Sequence, residues 1–194
     1  MRSNIRNKYV LLMCFLALAW FVCTGQTIIL RRGCYTSWYD TQLLCPKQVT
    51  WTLHRSDLGD VRREPSWRFA SDINAAGCVA THDDYKNSGY DRGHLCPAAD
   101  RSFMIGAMRQ TFSTANIAPQ VPALNRGAWL ATERWCRDAA VLFDSVCVLA
   151  VPLWLDRDTV RIGVHGIAVP HAFFKVAYIP ATDSVLNCWF FFNK

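Results

Sequence analysis

Several common signatures of chemistry and architecture are missing from this sequence. No C-x-x-C pair occurs among its nine cysteines, which argues against a finger-type structural zinc site. No G-x-S-x-G occurs either, so a serine hydrolase would lack its nucleophile. There is no internal repeat, no low-complexity tract and no long linker. The 194 residues therefore read as one domain, long enough to bury a real core. No apolar run reaches the ~20 residues that span a bilayer; the run from Tyr9 to Cys23 has 15. The first 25 residues contain no acidic side chain.

What those 25 residues do contain is Arg2, Arg6 and Lys8, then the apolar run, then Thr24-Gly25-Gln26. A basic start, an apolar middle and a small-residue exit match a secretory signal peptide, cut after Gly25. Retention as an anchor is the alternative. The expected organisation is a leader over 1–25, one domain over 26–194, and a secreted or periplasmic mature protein with no membrane span. Without the leader 18 basic residues face 15 acidic ones, a net charge of +3. That is too mild to argue nucleic-acid binding without a local cluster. Seven cysteines remain, and in an exported chain they suggest disulfides, with Cys34–Cys45 as a candidate. Seven is odd, so at least one thiol stays free or pairs with another chain.

The stretch QVTWTLH (48–54) alternates and is rich in β-formers, so it predicts a strand. Residues 57–90 are polar and turn-prone, a surface excursion returning to a strand near His94. Ser102 is placed to cap a helix through FMIGAMRQTF. Pro119 and Pro122 make FSTANIAPQVPALN a loop. A helix is expected from Asn125, as its N-cap, to about Ala140. SVCVLAVPLW, GIAVP, AFFKVAYIP and SVLNCWFFF then read as strands of one sheet. The fold class is α+β, a mostly antiparallel sheet with a helix placed where the chemistry needs it.

The segment GYDRGHLCPAADR (89–101) sets His94 between Arg92 and Arg101. Cations beside an imidazole disfavour its protonation, which suits a histidine that must stay neutral near an anionic substrate. On the helix, Asn125, Trp129, Glu133 and Arg137 recur every four residues, and that spacing alone fits a solvated face with a Glu133–Arg137 pair. Two amides favour more: Asn125 follows a proline-stiffened loop, and Asn116 lies nine residues earlier. Asn125 and Glu133 would lie about 12 Å apart along an ideal helix. One direct amide ligand, with the carboxylate acting through water, fits Mg²⁺, which keeps most of its water shell. Mn²⁺ could take its place. His54, His82, His165 and His171 have no acidic or cysteine partner at ligand spacing and read as packing or surface residues.

DRGH, then N-I-A-P-Q, then Asn125, Glu133 and Arg137 at these spacings, together resemble the DNA/RNA non-specific endonucleases, the ββα-metal nucleases that include the Serratia nuclease and endonuclease G. The likeness runs from about Val49 to Phe192 and takes in RREPSW and VPHAFFKV. It implies a ββα-metal site in which His94 is the general base and Asn125 the one direct metal ligand. Glu133 would hold a metal-bound water, and Asn116 would fix the histidine or the scissile phosphate. Arg92 and Arg137 would neutralise the phosphorane, with Arg63, or its neighbour Arg62, as a further phosphate contact. Gly93 would allow a tight turn between Arg92 and His94. The implied activity is hydrolysis of both DNA and RNA, leaving 5′-phosphate ends. A catalytically silent nucleic-acid-binding or cell-surface module on the same scaffold is the alternative. Ala150-Val151-Pro152 stands where the family usually has a Thr-Gly-Pro type sequence.

Overall fold

The computed structural model describes residues 26–71, 80–155, 158–182 and 184–194; the proposed leader and Cys78 lie outside them. Strands β1 (Thr27–Arg31), β2 (Thr36–Asp40), β3 (Cys45–His54), β6 (Ser145–Leu153), β9 (Ala172–Ile179) and β10 (Ser184–Phe192) form a six-stranded sheet. Its order is β1-β2-β3-β6-β9-β10, antiparallel throughout. Alternation explains β3: Val49, Trp51 and Leu53 are buried on one face, while Thr50 and Thr52 are half-buried on the other. Two small sheets complete the fold, β4 (Asp91–His94) with β5 (Ile117–Gln120), and β7 (Arg161–Ile162) with β8 (Ile167–Ala168). The α+β class holds, but GIAVP supplies β8 to this last pair rather than to the main sheet.

Helix α1 spans Ile105–Gln110, shorter than expected, and Ser102 does not cap it. The Ser102 hydroxyl instead accepts from the Gly59 amide and donates to the Ala99 carbonyl. The expected loop 112–125 contains β5, with Pro119 opposite Arg92. Proline survives there because a two-stranded ribbon is all edge. The long helix starts at Pro122, not Asn125. Proline is favoured at the first helical position, and the Asn125 amide already donates to the Val121 carbonyl at 3.0 Å. A π-turn over Asn125–Trp129, kinked at Gly127, leads into α2 (Leu130–Phe143). One face of α2 (Cys136, Ala139 and Ala140), together with Trp129, packs on Trp51, Leu53, Val146, Val148, Phe173 and Ala177 of the sheet. This is the main core, and the β4–β5 ribbon lies against its end through Leu95 and Ala118.

The six described cysteines are free thiols, so the Cys34–Cys45 bridge is not formed. Cys34 Sγ donates to Gln110 Oε1 at 3.2 Å on the α1 side, whereas Cys45 lies in the core beside the Ile117 carbonyl. Cys96, two residues after His94, is buried and unbridged. No described helix is long and apolar enough to cross a membrane.

Candidate active site

The β4–β5 ribbon and the start of the long helix wall a pocket of about 300 Å³. Its lining includes Arg63, Arg92, His94, Asn125, Arg126 and Glu133. On β4, Arg92 and His94 share one face, set by the period of two. Gly93 between them is an ordinary strand residue opposite Ala118, not a turn. Its lack of a side chain serves close packing, because a Cβ there would sit 2.2 Å from Gln120 Oε1.

His94 is held from several sides. The fully buried Trp129 donates its Nε1–H to the His94 carbonyl at 3.0 Å, which ties the histidine backbone to the helix. The imidazole lies between the rings of Phe69 (4.9 Å) and Phe112 (5.0 Å). Its Nε2 is closed off from solvent and has no hydrogen-bond partner. Burial first, and then the nearby Arg63 guanidinium, together push its pKa down to about 3, so the ring is neutral at physiological pH. Arg101, expected beside it, is elsewhere. Its guanidinium binds Asp57, the Cys34 carbonyl and the Thr52 carbonyl, and it lines a separate cavity of about 430 Å³.

The amide of Asn125 is oriented by charge. Its Nδ2 donates to Asp91 Oδ2 at 2.9 Å, and Arg126 binds the same carboxylate through Nε (2.8 Å) and Nη2 (2.7 Å). Those hydrogen bonds, Arg126's first, hold the Asp91 carboxyl below the usual carboxylate range. A carboxylate only accepts, so Nδ2 is the end of the amide turned to Asp91 and Oδ1 remains as the available oxygen ligand. Arg92 donates twice to the His82 carbonyl (3.0 and 2.7 Å) and stacks over Tyr85, which fixes its guanidinium at the pocket edge. Arg63 is exposed, its guanidinium 5.0 Å from the centre of the Phe112 ring; Arg62 does not line the pocket. Glu133 closes the inner wall, with its pKa pushed up to about 7 by burial, against which Lys175 is the largest opposing influence. One neutral oxygen, one carboxylate and several arginines are a donor set for a hard, largely hydrated cation beside a phosphate. Among the described residues no cluster of three or more His, Cys, Asp and Glu side chains could hold a metal alone.

The profile of the DNA/RNA non-specific endonuclease family matches residues 21–192. This chain belongs to that family. It is 34% identical to mitochondrial endonuclease G of Bos taurus over 173 residues, 84% of this chain and 58% of that protein. With the Homo sapiens endonuclease G the identity is 39% over 135 residues, 65% of this chain and 45% of that protein. With the mitochondrial nuclease EXOG of Xenopus laevis it is 35% over 151 residues, 73% of this chain and 42% of that protein. The chain thus spans about half the length of these relatives. The fold superposes on a chain of an EndoG/EndoGI complex with a TM-score of 0.78 at 26% identity, covering 88% of this chain and 76% of that one. These relatives are mitochondrial by name, which overturns the expectation of a secreted or periplasmic protein.

For this endonuclease-family chain, two residues named from the sequence lie outside the pocket. Asn116 is fully buried. Its Oδ1 accepts from the Cys96 amide at 3.0 Å, and its Nδ2 donates to the carbonyls of Cys96 and Thr111. It therefore fixes the backbone just after His94 rather than facing a ligand. Arg137 is turned to the buried Asp100, with Nη1 3.0 Å from Oδ1. Four contributors were missed: Asp91, Arg126 and the rings of Phe69 and Phe112. Asp91 and Arg126 carry a legible signal, since each adjoins a named residue and their charges are opposite. The two phenylalanines carry none. Of the other histidines, His82 and His171 accept backbone amides, and His165 meets Asp84 at 2.9 Å. None of them, nor His54, lines the pocket.

Proposed function

We propose that this chain is a Mg²⁺-dependent, sugar-non-specific endonuclease that hydrolyses phosphodiester bonds of DNA and RNA, leaving 5′-phosphate ends. The observation that carries the reading is a neutral, aromatic-clamped His94 sharing one pocket with the charge-oriented amide of Asn125. His94 accepts the proton of the attacking water, a task that requires an unprotonated ring. Asn125 Oδ1 would hold the cation, which, when bound, offsets charge on the phosphate and the leaving oxygen. Glu133 accepts hydrogen bonds from water at the inner wall, and Arg63, Arg92 and Arg126 donate to phosphate oxygens. All of these groups address phosphate and none reads a base edge, so cleavage is broadly sequence-tolerant and weakens as salt rises. Incubating the purified chain with plasmid DNA and with RNA tests the reading. Both should be degraded in Mg²⁺ and spared in EDTA, and no cleavage at any Mg²⁺ concentration would leave only a silent binding module.

The Asp91 clamp has its own test. Asp91→Asn keeps the shape but lets the Asn125 amide present either end to the pocket. Mg²⁺ affinity, read by titration calorimetry, should weaken roughly 10–100-fold, as when other outer-shell partners are lost. Unchanged affinity would show that Asp91 does not select the oxygen.

A further inference from the structure

Arg55, Arg68, Arg101, Arg126 and Arg137 each meet a carboxylate within 4.0 Å. Three others are seated on aromatic rings instead: Arg63 over Phe112 (5.0 Å), Arg92 over Tyr85 (5.5 Å) and Arg109 over Trp67 (5.2 Å). Arg63 and Arg92 line the pocket of His94, and the reading above uses both. Arg109, in the last turn of α1, is exposed and has no part in it. It has no carboxylate partner among the described residues. A guanidinium on a ring keeps its charge and its N–H donors, while the stacking limits where its planar fork points. Arg109 is thus a cation set in place with nothing neutralising it.

The rings join Arg109 to the catalytic pocket. Trp67 and Phe112 meet edge to face with their centres 5.2 Å apart, and Phe112 lies 5.0 Å from the His94 ring. From Arg63 through Phe112 and Trp67 to Arg109 the steps are 5.0, 5.2 and 5.2 Å, so the two guanidiniums are at most about 15 Å apart. That is about four base-pair steps of one strand, at ~3.4 Å each. Phe112 also lines a second cleft, of about 220 Å³, together with Arg32, Ser71, Arg109, Gln110 and Ser113. None of its described lining residues is acidic. Gln110 Oε1 accepts from the Cys34 thiol, which leaves Nε2 as a donor. At ~30 Å³ per water the cleft has room for a phosphate group and a few waters.

We propose that this cleft, with Arg109 as its anchor, is a second backbone site: it binds a phosphate of the same nucleic-acid chain a few nucleotides from the bond held beside His94. The proposal rests on the nucleic-acid substrate inferred above and adds a length requirement to it. A substrate that reaches both sites is held by the two arginines of the Phe112–Trp67 platform, whereas a fragment confined to the catalytic pocket loses the second contact. Phosphate contacts carry no base information, so this grip is blind to sequence. It is made far from the reacting atoms, equally in ground and transition states, so it strengthens binding without changing the chemical step.

Binding of a fluorescein-labelled DNA duplex several helical turns long, read by anisotropy in EDTA over a salt series, tests the site without cleavage. Arg109→Met keeps an apolar stem over Trp67 and removes the charge; thermal unfolding checks the fold, and Arg109→Gln serves if the first variant does not fold. Binding should weaken roughly two- to fivefold, the range of an exposed ion pair. The slope of log affinity against log salt should flatten by about 0.9, the share of one phosphate contact. Arg55→Met removes an exposed arginine that binds the Val141 carbonyl, at the end of α2 away from the pocket, and should leave the slope unchanged. In Mg²⁺, Arg109→Met should raise the KM for plasmid by a similar factor with kcat retained. An unmoved slope in the folded Arg109 variants overturns the proposal. An equal fall in Arg55→Met overturns it too, by making the effect one of net charge. If Arg109 sets duplex affinity in a wild-type protein that never cleaves, the second site stands and the hydrolytic reading falls. If cleavage is robust and the slope does not move, the hydrolytic reading stands alone.

Discussion

His94→Ala is expected to cut the initial rate of plasmid cleavage by about two to four orders of magnitude, the usual contribution of a positioned general base. The loss should not be recovered by raising pH, because the wild-type ring is already neutral above about pH 3. In the proposed mechanism the acid limb of the wild-type rate profile belongs instead to Glu133. Its carboxylate is the working form there, so the rate is expected to fall on the acid side as Glu133 takes up a proton. Initial rates of both proteins across the pH range, with folding checked by circular dichroism, read both effects. A His94→Ala enzyme within a few-fold of wild type would make the aromatic clamp a packing device and remove the base from the mechanism.

Asn125→Ala should fail differently. The oxygen it removes is the one that Asp91 leaves available, so the first loss is metal affinity, at least the roughly 10–100-fold seen when an outer-shell partner is removed. Part of the cleavage rate should therefore return as Mg²⁺ is raised. The Asp91–Arg126 pair stays intact in this variant, so the ribbon and helix keep their contact. A rate loss insensitive to Mg²⁺ would take Asn125 out of the metal site.

Much of this arrangement was legible in the sequence, because it depends on local pattern. Alternation in QVTWTLH places β3, and the apolar runs after residue 144 place β6, β9 and β10. The ordered spacing from DRGH to Asn125 and Glu133 picked out residues that line one pocket. What failed depends on long-range contacts. Arg101 is seven residues from His94 in the chain, yet it turns to Asp57 and Thr52; Arg63, 31 residues away, is the cation that acts on the ring. Asn116 carries the same amide as Asn125, but its backbone hydrogen-bonding duty is visible only once Cys96 and Thr111 stand on either side of it. A regular four-residue spacing suggested one helix face for Asn125, Trp129, Glu133 and Arg137. The π-turn at Asn125–Trp129 breaks that face, sending Trp129 into the core and Arg137 to Asp100. Such bulges gather at functional sites and leave little trace in apolar periodicity. The secreted or periplasmic destination was misread for a related reason: a basic start free of acidic residues is shared by export and organelle-import segments.

The central claim is a division of labour in which Asn125 holds the cation and His94 handles the proton. Mg²⁺ titration calorimetry on the His94→Ala variant tests it most directly, because binding is read without any chemistry. The account predicts an affinity within about twofold of wild type, less than 0.5 kcal/mol of binding free energy. Abolished binding would make the histidine a ligand and contradict the assignment of both residues.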